Sequence, residues 1–294
     1  MILPDLTIPS RANQNRKHIG IDRPEHPKIK DPAWFETYPH AVEYCYNSRG
    51  FRDQEWPDSL IELKNSIWCL GDSFTVGLGS PQSHTWPQIL EQTMQQRTIN
   101  VSMDGASNSW MQRWAIKICE QIQPRIMIIH WSYLTRTEIP DSSDESDPDS
   151  LLNDEQRRLH YSPDLLDTTK AMRTFCDLVL DLENNKGHTR IIHSFVPNFA
   201  VLGPLEQHWK TFAGPSWPNL PNTLAEFDAL PVFIRQELQQ DFDCYDVFRI
   251  WCELRGRLEH VPEFAKLDRA RDGHHYDLAT AQHFVAGICD LLQG

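Results

Sequence analysis

The sequence has no Cys-x-x-Cys pair. Its seven cysteines stand scattered at 45, 69, 119, 176, 244, 252 and 289. An odd, dispersed set argues against a disulfide framework and reads as reduced core thiols in a reducing compartment. No run of about 18 apolar residues exists, so no membrane-spanning helix is expected. The opening stretch MILPDLTIPSRANQNRKHIG has no apolar core of the kind a secretory leader needs, so a cytoplasmic location is expected. Positive charge is also scarce: 28 Lys and Arg face 41 Asp and Glu, for a net charge of −13. Such a surface repels phosphate backbones, so nucleic acid is not an expected partner.

Several signatures of chemistry are missing. There is no Gly-x-Ser-x-Gly elbow, which disfavours a standard α/β-hydrolase. Without a Gly-x-x-x-x-Gly-Lys-Ser/Thr loop or a Gly-x-Gly-x-x-Gly turn, nucleotide binding has no support. His275 and His283 are too far apart for a His-Glu-x-x-His helix and have no carboxylate at helical spacing, so no metal or other cofactor is expected. The acidic run DSSDESDPDSLLNDE at 141–155 lacks the Asp-x-Asp-x-Asp-Gly pattern of a calcium loop and reads as a solvated loop.

What remains is a globular composition over 294 residues, 40% hydrophobic and 10% aromatic. A chain of this length buries a sizeable core without covalent staples. Residues 1–60 are rich in proline, charge and aromatics with weak periodicity, and read as an irregular arm packed on one domain spanning 61–294. Arg52 in that arm is expected to pair structurally rather than to reach a ligand.

From residue 65 the pattern alternates. Short apolar strands are predicted at 66–70, 98–103, 125–131 and 190–196, with helices at 85–96, 109–121, 164–184 and 278–292 between and after them. Residues 197–222 read as a long loop and 223–240 as helix. A fifth strand is expected to begin at Tyr245–Val247, with helix over 248–259 as the alternative. Strands alternating with helices predict a three-layer α/β/α sandwich around a mostly parallel sheet. Ligands bind such a sheet at the carboxyl ends of its strands.

Gly71-Asp72-Ser73-Phe74 falls at the carboxyl end of the first of these strands. Serine at a strand-to-helix turn can be a helix cap. As a nucleophile it needs a base, an orienting partner for the base, and donors aimed at the developing oxyanion. Asp272-Gly273-His274-His275 offers a carboxylate and an imidazole three residues apart, with His274 expected to face solvent. The same pair could instead cap the terminal helix.

Together with Asn100-Val101-Ser102-Met103-Asp104-Gly105, these motifs resemble the SGNH, or GDSL, hydrolases, in that family's order and over roughly residues 64–294. The resemblance implies about five strands in a flavodoxin-like sheet. It implies Ser73 as nucleophile, His275 as base, Asp272 as its orienting partner, and the Ser73 and Gly105 amides as oxyanion donors. The family's third block, Gly-x-Asn-Asp, is replaced here by His130-Trp131-Ser132-Tyr133. Ser132 falls near the missing Asn, and Asn108 is the other candidate donor. Trp131, Arg136 and Trp217 are candidates for lining a substrate cleft.

The resemblance implies hydrolysis of a short acyl ester, on a carbohydrate or small alcohol, through an acyl-enzyme. An O-acyltransferase using the same triad, and a non-catalytic glycan-binding protein, are the alternatives.

Overall fold

The computed structural model describes residues 6–26, 32–134, 136, 165–196, 224–232, 236, 242–262, 264 and 266–294. In chain order its strands are β1 (Asn15–Arg16), β2 (Tyr44–Cys45), β3 (Ile67–Gly71), β4 (Thr98–Ser102), β5 (Ile126–Trp131) and β6 (Arg190–Phe195). Its helices are α1 (Pro32–Thr37), α2 (Leu60–Asn65), α3 (Ser73–Val76), α4 (Trp86–Met94), α5 (Asn108–Gln121), α6 (Leu165–Asn185), α7 (Leu224–Asp228), α8 (Phe242–Arg257) and α9 (Leu278–Gln293).

The central sheet runs β4-β3-β5-β6, all parallel. Side chains alternate between its two faces, and both faces are apolar, as a parallel sheet covered on both sides requires. Trp68, Leu70, Met127 and Ile129 join one cluster with residues of α5, α6 and α8. Ile67, Cys69, Ile128 and Ile192 join another with Trp86 and Leu90 of α4 and Phe284 and Ile288 of α9. The fold is therefore the expected three-layer α/β/α sandwich.

The expected fifth strand is corrected. Tyr245–Val247 lies inside α8, where Trp251 and Leu254, followed just past its end by Leu258, recur at helical spacing and are buried. Among the described residues, the fifth place in the sheet is taken by a single parallel bridge between His193 and His260. The predicted 197–222 loop and the 141–155 acidic run lie outside the described residues.

The first 60 residues contribute to the core. Leu6, Ile8, Phe51 and Trp56 belong to the same cluster as the sheet residues above. Arg52 is buried and donates through Nη1 to the Val76 and Gly77 carbonyls and through Nη2 to those of Glu43 and Ser80. Its role is structural: it collects the carbonyls at the end of α3, which a helix terminus leaves unsatisfied.

Candidate active site

Because β4 lies on one side of β3 and β5 on the other, the strand order reverses beside β3. The carboxyl ends of β3 and β5 therefore flank the crevice where such sheets take their ligands. Asp72 and Ser73 leave the end of β3, and Ser132 leaves the end of β5.

Asp72 is the N-cap of α3 and accepts a hydrogen bond from the Phe74 amide at 3.0 Å. Ser73 is thus the first helical residue, and capping makes no demand on its hydroxyl. That hydroxyl lies 2.8 Å from His275 Nε2, although the two residues are 202 positions apart. His275 Nδ1 lies 2.5 Å from Asp272 Oδ2. The second oxygen, Oδ1, accepts from the His274 and His275 amides at 2.9 and 3.0 Å. All three residues are at most 4% exposed.

Burial pushes the Asp272 carboxyl up. The facing His275 imidazole and the hydrogen bonds from residues 274 and 275 outweigh it and leave Asp272 below the usual carboxylate range. Asp272 is therefore an anion oriented on an imidazole, and that imidazole is oriented on a hydroxyl. This is the relay a serine nucleophile needs. Phe74 packs on the His275 ring with centroids 4.5 Å apart. His274 is exposed, as expected. The pair does not cap α9, whose first amides are taken by Asp268.

Gly105 follows β4 in a turn at φ 80°, a backbone region open to glycine and strained for other residues. Among the described residues, neither the Gly105 nor the Ser73 amide donates to a protein acceptor. The two side-chain candidates for the oxyanion are different. The Ser132 hydroxyl donates to Asp72 Oδ2 at 2.5 Å. The Asn108 amide donates to the Ser132 and Tyr133 carbonyls and accepts from the Ser132 amide. As placed, Ser132 ties the end of β5 to the Asp72 cap of α3 and Asn108 ties it to the start of α5, and neither has a donor left for an oxyanion.

Trp131 is corrected as a cleft residue. It is fully buried, donates to His193 Nδ1 at 3.0 Å and packs edge-on against Phe175. The strand alternation sends it into the core. Arg136 pairs with Asp72 beside Ser73: its Nη1 lies 2.9 Å from Asp72 Oδ2, with its side chain 22% exposed. Trp217 lies outside the described residues.

Sequence reasoning missed Asp72. It caps α3, accepts from the Ser132 hydroxyl and pairs with Arg136, so one carboxylate ties the helix that begins with Ser73 to the segment after β5. The signal was present in Gly71-Asp72-Ser73, because an acidic residue before a strand-to-helix turn is a strong cap.

No family model and no curated protein matches the chain. Some solved structures are similar to it. TesA is 12% identical with a TM-score of 0.43, over 78% of this chain and 98% of that one. The psychrotrophic esterase EstA from Pseudoalteromonas sp., inhibited by monoethylphosphonate, is 16% identical with a TM-score of 0.39, over 78% and 97%. A family two carbohydrate esterase from Clostridium thermocellum, in complex with cellohexaose, is 12% identical with a TM-score of 0.42, over 82% and 66%.

Proposed function

We propose that this chain is a serine esterase of the SGNH type that cleaves a short acyl ester through an acyl-enzyme. The continuous relay Asp272–His275–Ser73, with contacts of 2.5 and 2.8 Å at the carboxyl edge of the sheet, carries this reading.

Ser73 Oγ attacks the ester carbonyl while His275 Nε2 takes its proton, and Asp272 stabilises the resulting imidazolium. The unengaged Ser73 and Gly105 amides receive the oxyanion. His275 then returns the proton to the departing alcohol, and water attacks the acyl-serine by the same route in reverse. The substrate we favour is an acyl group on a sugar or small alcohol, because Trp209 and Trp217 stand among polar neighbours in the sequence.

The commitment of Ser132 and Asn108 to other partners favours one second reading, a glycan-binding protein without turnover. Losing one oxyanion donor costs on the order of 10²–10³ in turnover. Fluorophosphonate labelling and p-nitrophenyl acetate turnover separate the two. The esterase reading expects labelling of the native chain, none of Ser73→Ala, and at least a ~10³-fold loss of turnover in that variant. Asp272→Asn should lose roughly 10²–10⁴ while still folding. A folded native chain that does not label overturns the esterase and leaves the binder. Turnover surviving Ser73→Ala overturns the assignment of the nucleophile. Transfer of the acyl group to an added alcohol, faster than its hydrolysis, would make the same triad that of an acyltransferase.

A further inference from the structure

Behind the triad loop, three potential metal ligands converge from separate segments. His40 comes from the stretch after α1, His84 from the turn before α4, and Asp277 from the position before α9. One ligating atom of each lies within 4.8 Å of the other two. His84 Nδ1 is 2.7 Å from Asp277 Oδ1, and the His40 and His84 rings stand edge-on with centroids 4.7 Å apart.

Asp277 occupies the N-cap position of α9 but makes no capping bond. Asp268 takes that role through the Asp277, Ala279 and Thr280 amides. The Asp277 carboxylate is turned instead toward the imidazoles. It is held there by the Tyr38 phenol on Oδ2 and the Ser80 hydroxyl, 3.3 Å from Oδ1.

We propose that His40, His84 and Asp277 bind one divalent ion of the zinc class. Two imidazole nitrogens and one carboxylate oxygen suit zinc and its neighbours, whereas magnesium and calcium take oxygen ligands. Tetrahedral zinc with bonds of about 2.0–2.1 Å holds its ligand atoms ~3.3 Å apart, so the His84–Asp277 contact opens by roughly half an ångström. His40 is exposed and has room to swing inward, and water fills the remaining position. With the ion on His84 Nδ1, the ring carries its proton on Nε2. The Tyr38 phenol stays on the carboxylate and fixes its orientation, as partners of metal ligands do.

The ion would join the N-terminal segment to the loop carrying His275. Asp277 follows that residue closely, and the Ser80 hydroxyl also donates to the Tyr276 carbonyl at 2.7 Å. The site does not depend on the esterase reading.

The test uses the full chain without a histidine tag, stripped with a chelator and titrated with cobalt and then zinc. One cobalt per chain with visible d–d bands, displaced by zinc at micromolar concentration, is the expected result. His40→Ala and His84→Ala should each weaken uptake more than about tenfold, since even the partners of metal ligands are worth 10–100-fold. His40 is exposed, so its variant should melt like the native chain without metal. Zinc should raise the melting temperature of the native chain only. No uptake by the native chain, or uptake unchanged in either variant, overturns the proposal.

Discussion

His130 sits fully buried on β5, with Nδ1 3.0 Å from the Ser194 hydroxyl and Nε2 3.1 Å from the Tyr276 phenol. Burial pushes its pKa down from 6.5 to about 4, and the nearby Asp72 carboxylate opposes that only in part. The unfolded imidazole takes a proton below pH ~6.5 and the folded one only below ~4. Between those values the unfolded state holds more protons, so stability falls as the pH is lowered. The full difference is on the order of 3 kcal/mol. His130→Gln, which can still meet both hydroxyls, should lose this dependence. Urea unfolding at pH 7 and pH 4.5 checks it: the stability of the native chain relative to the variant should drop by about 2 kcal/mol, and an unchanged difference refutes the assignment. The three residues of the proposed triad were legible at this scale because they sit in motifs. His130 was not, because one histidine among 13 carries no local mark of its burial.

The proposed triad requires that the loop bearing Asp272 and His275 stay docked against the turn after α3. Gly79 makes that contact. Its carbonyl accepts from the Arg271 amide at 3.0 Å, and its own amide donates to the Tyr44 hydroxyl oxygen at 2.8 Å. Its φ is +74°, and a Cβ added there would lie 2.9 Å from both Ala270 Cβ and the Asp272 amide nitrogen. Gly79→Ala therefore combines a left-handed backbone cost of about 1–2 kcal/mol with a push against the Asp272 backbone. The expected outcome is a loss of roughly 2 kcal/mol or more in stability, with kcat lowered at least about tenfold and KM little changed. A variant destabilised but undiminished in kcat would show that the docking does not position the triad. The four parallel strands were readable as apolar runs, each within about a residue of its bounds. The fifth was misread because DCYDVFRIWC mixes β-branched and aromatic residues that suit a strand. Only the helical spacing of Trp251, Leu254 and Leu258, completed by packing on α6, decides for helix.

At the scale of the whole molecule, the N-terminal segment raises the question of where the core ends. Its apolar residues have no common period, so sequence alone gave an irregular arm and no sense of its depth. Leu6, Ile8, Phe51 and Trp56 nevertheless share a cluster with Trp68 of the central sheet, and the Phe51 and Trp56 rings stack at 5.5 Å. Burying each such side chain stabilises by about 1.5–3 kcal/mol, so the four together contribute ~6–12 kcal/mol as an upper estimate. That is comparable to the whole stability of a typical domain, about 5–15 kcal/mol. Removing them also removes Arg52, which holds the end of the helix that begins with Ser73. Deleting residues 1–59 should therefore abolish cooperative unfolding, expose dye-binding apolar surface and erase the near-ultraviolet dichroism of the buried tryptophans. If the truncated chain instead unfolds cooperatively within about 2 kcal/mol of the full chain, the segment is a dispensable arm and the core closes without it.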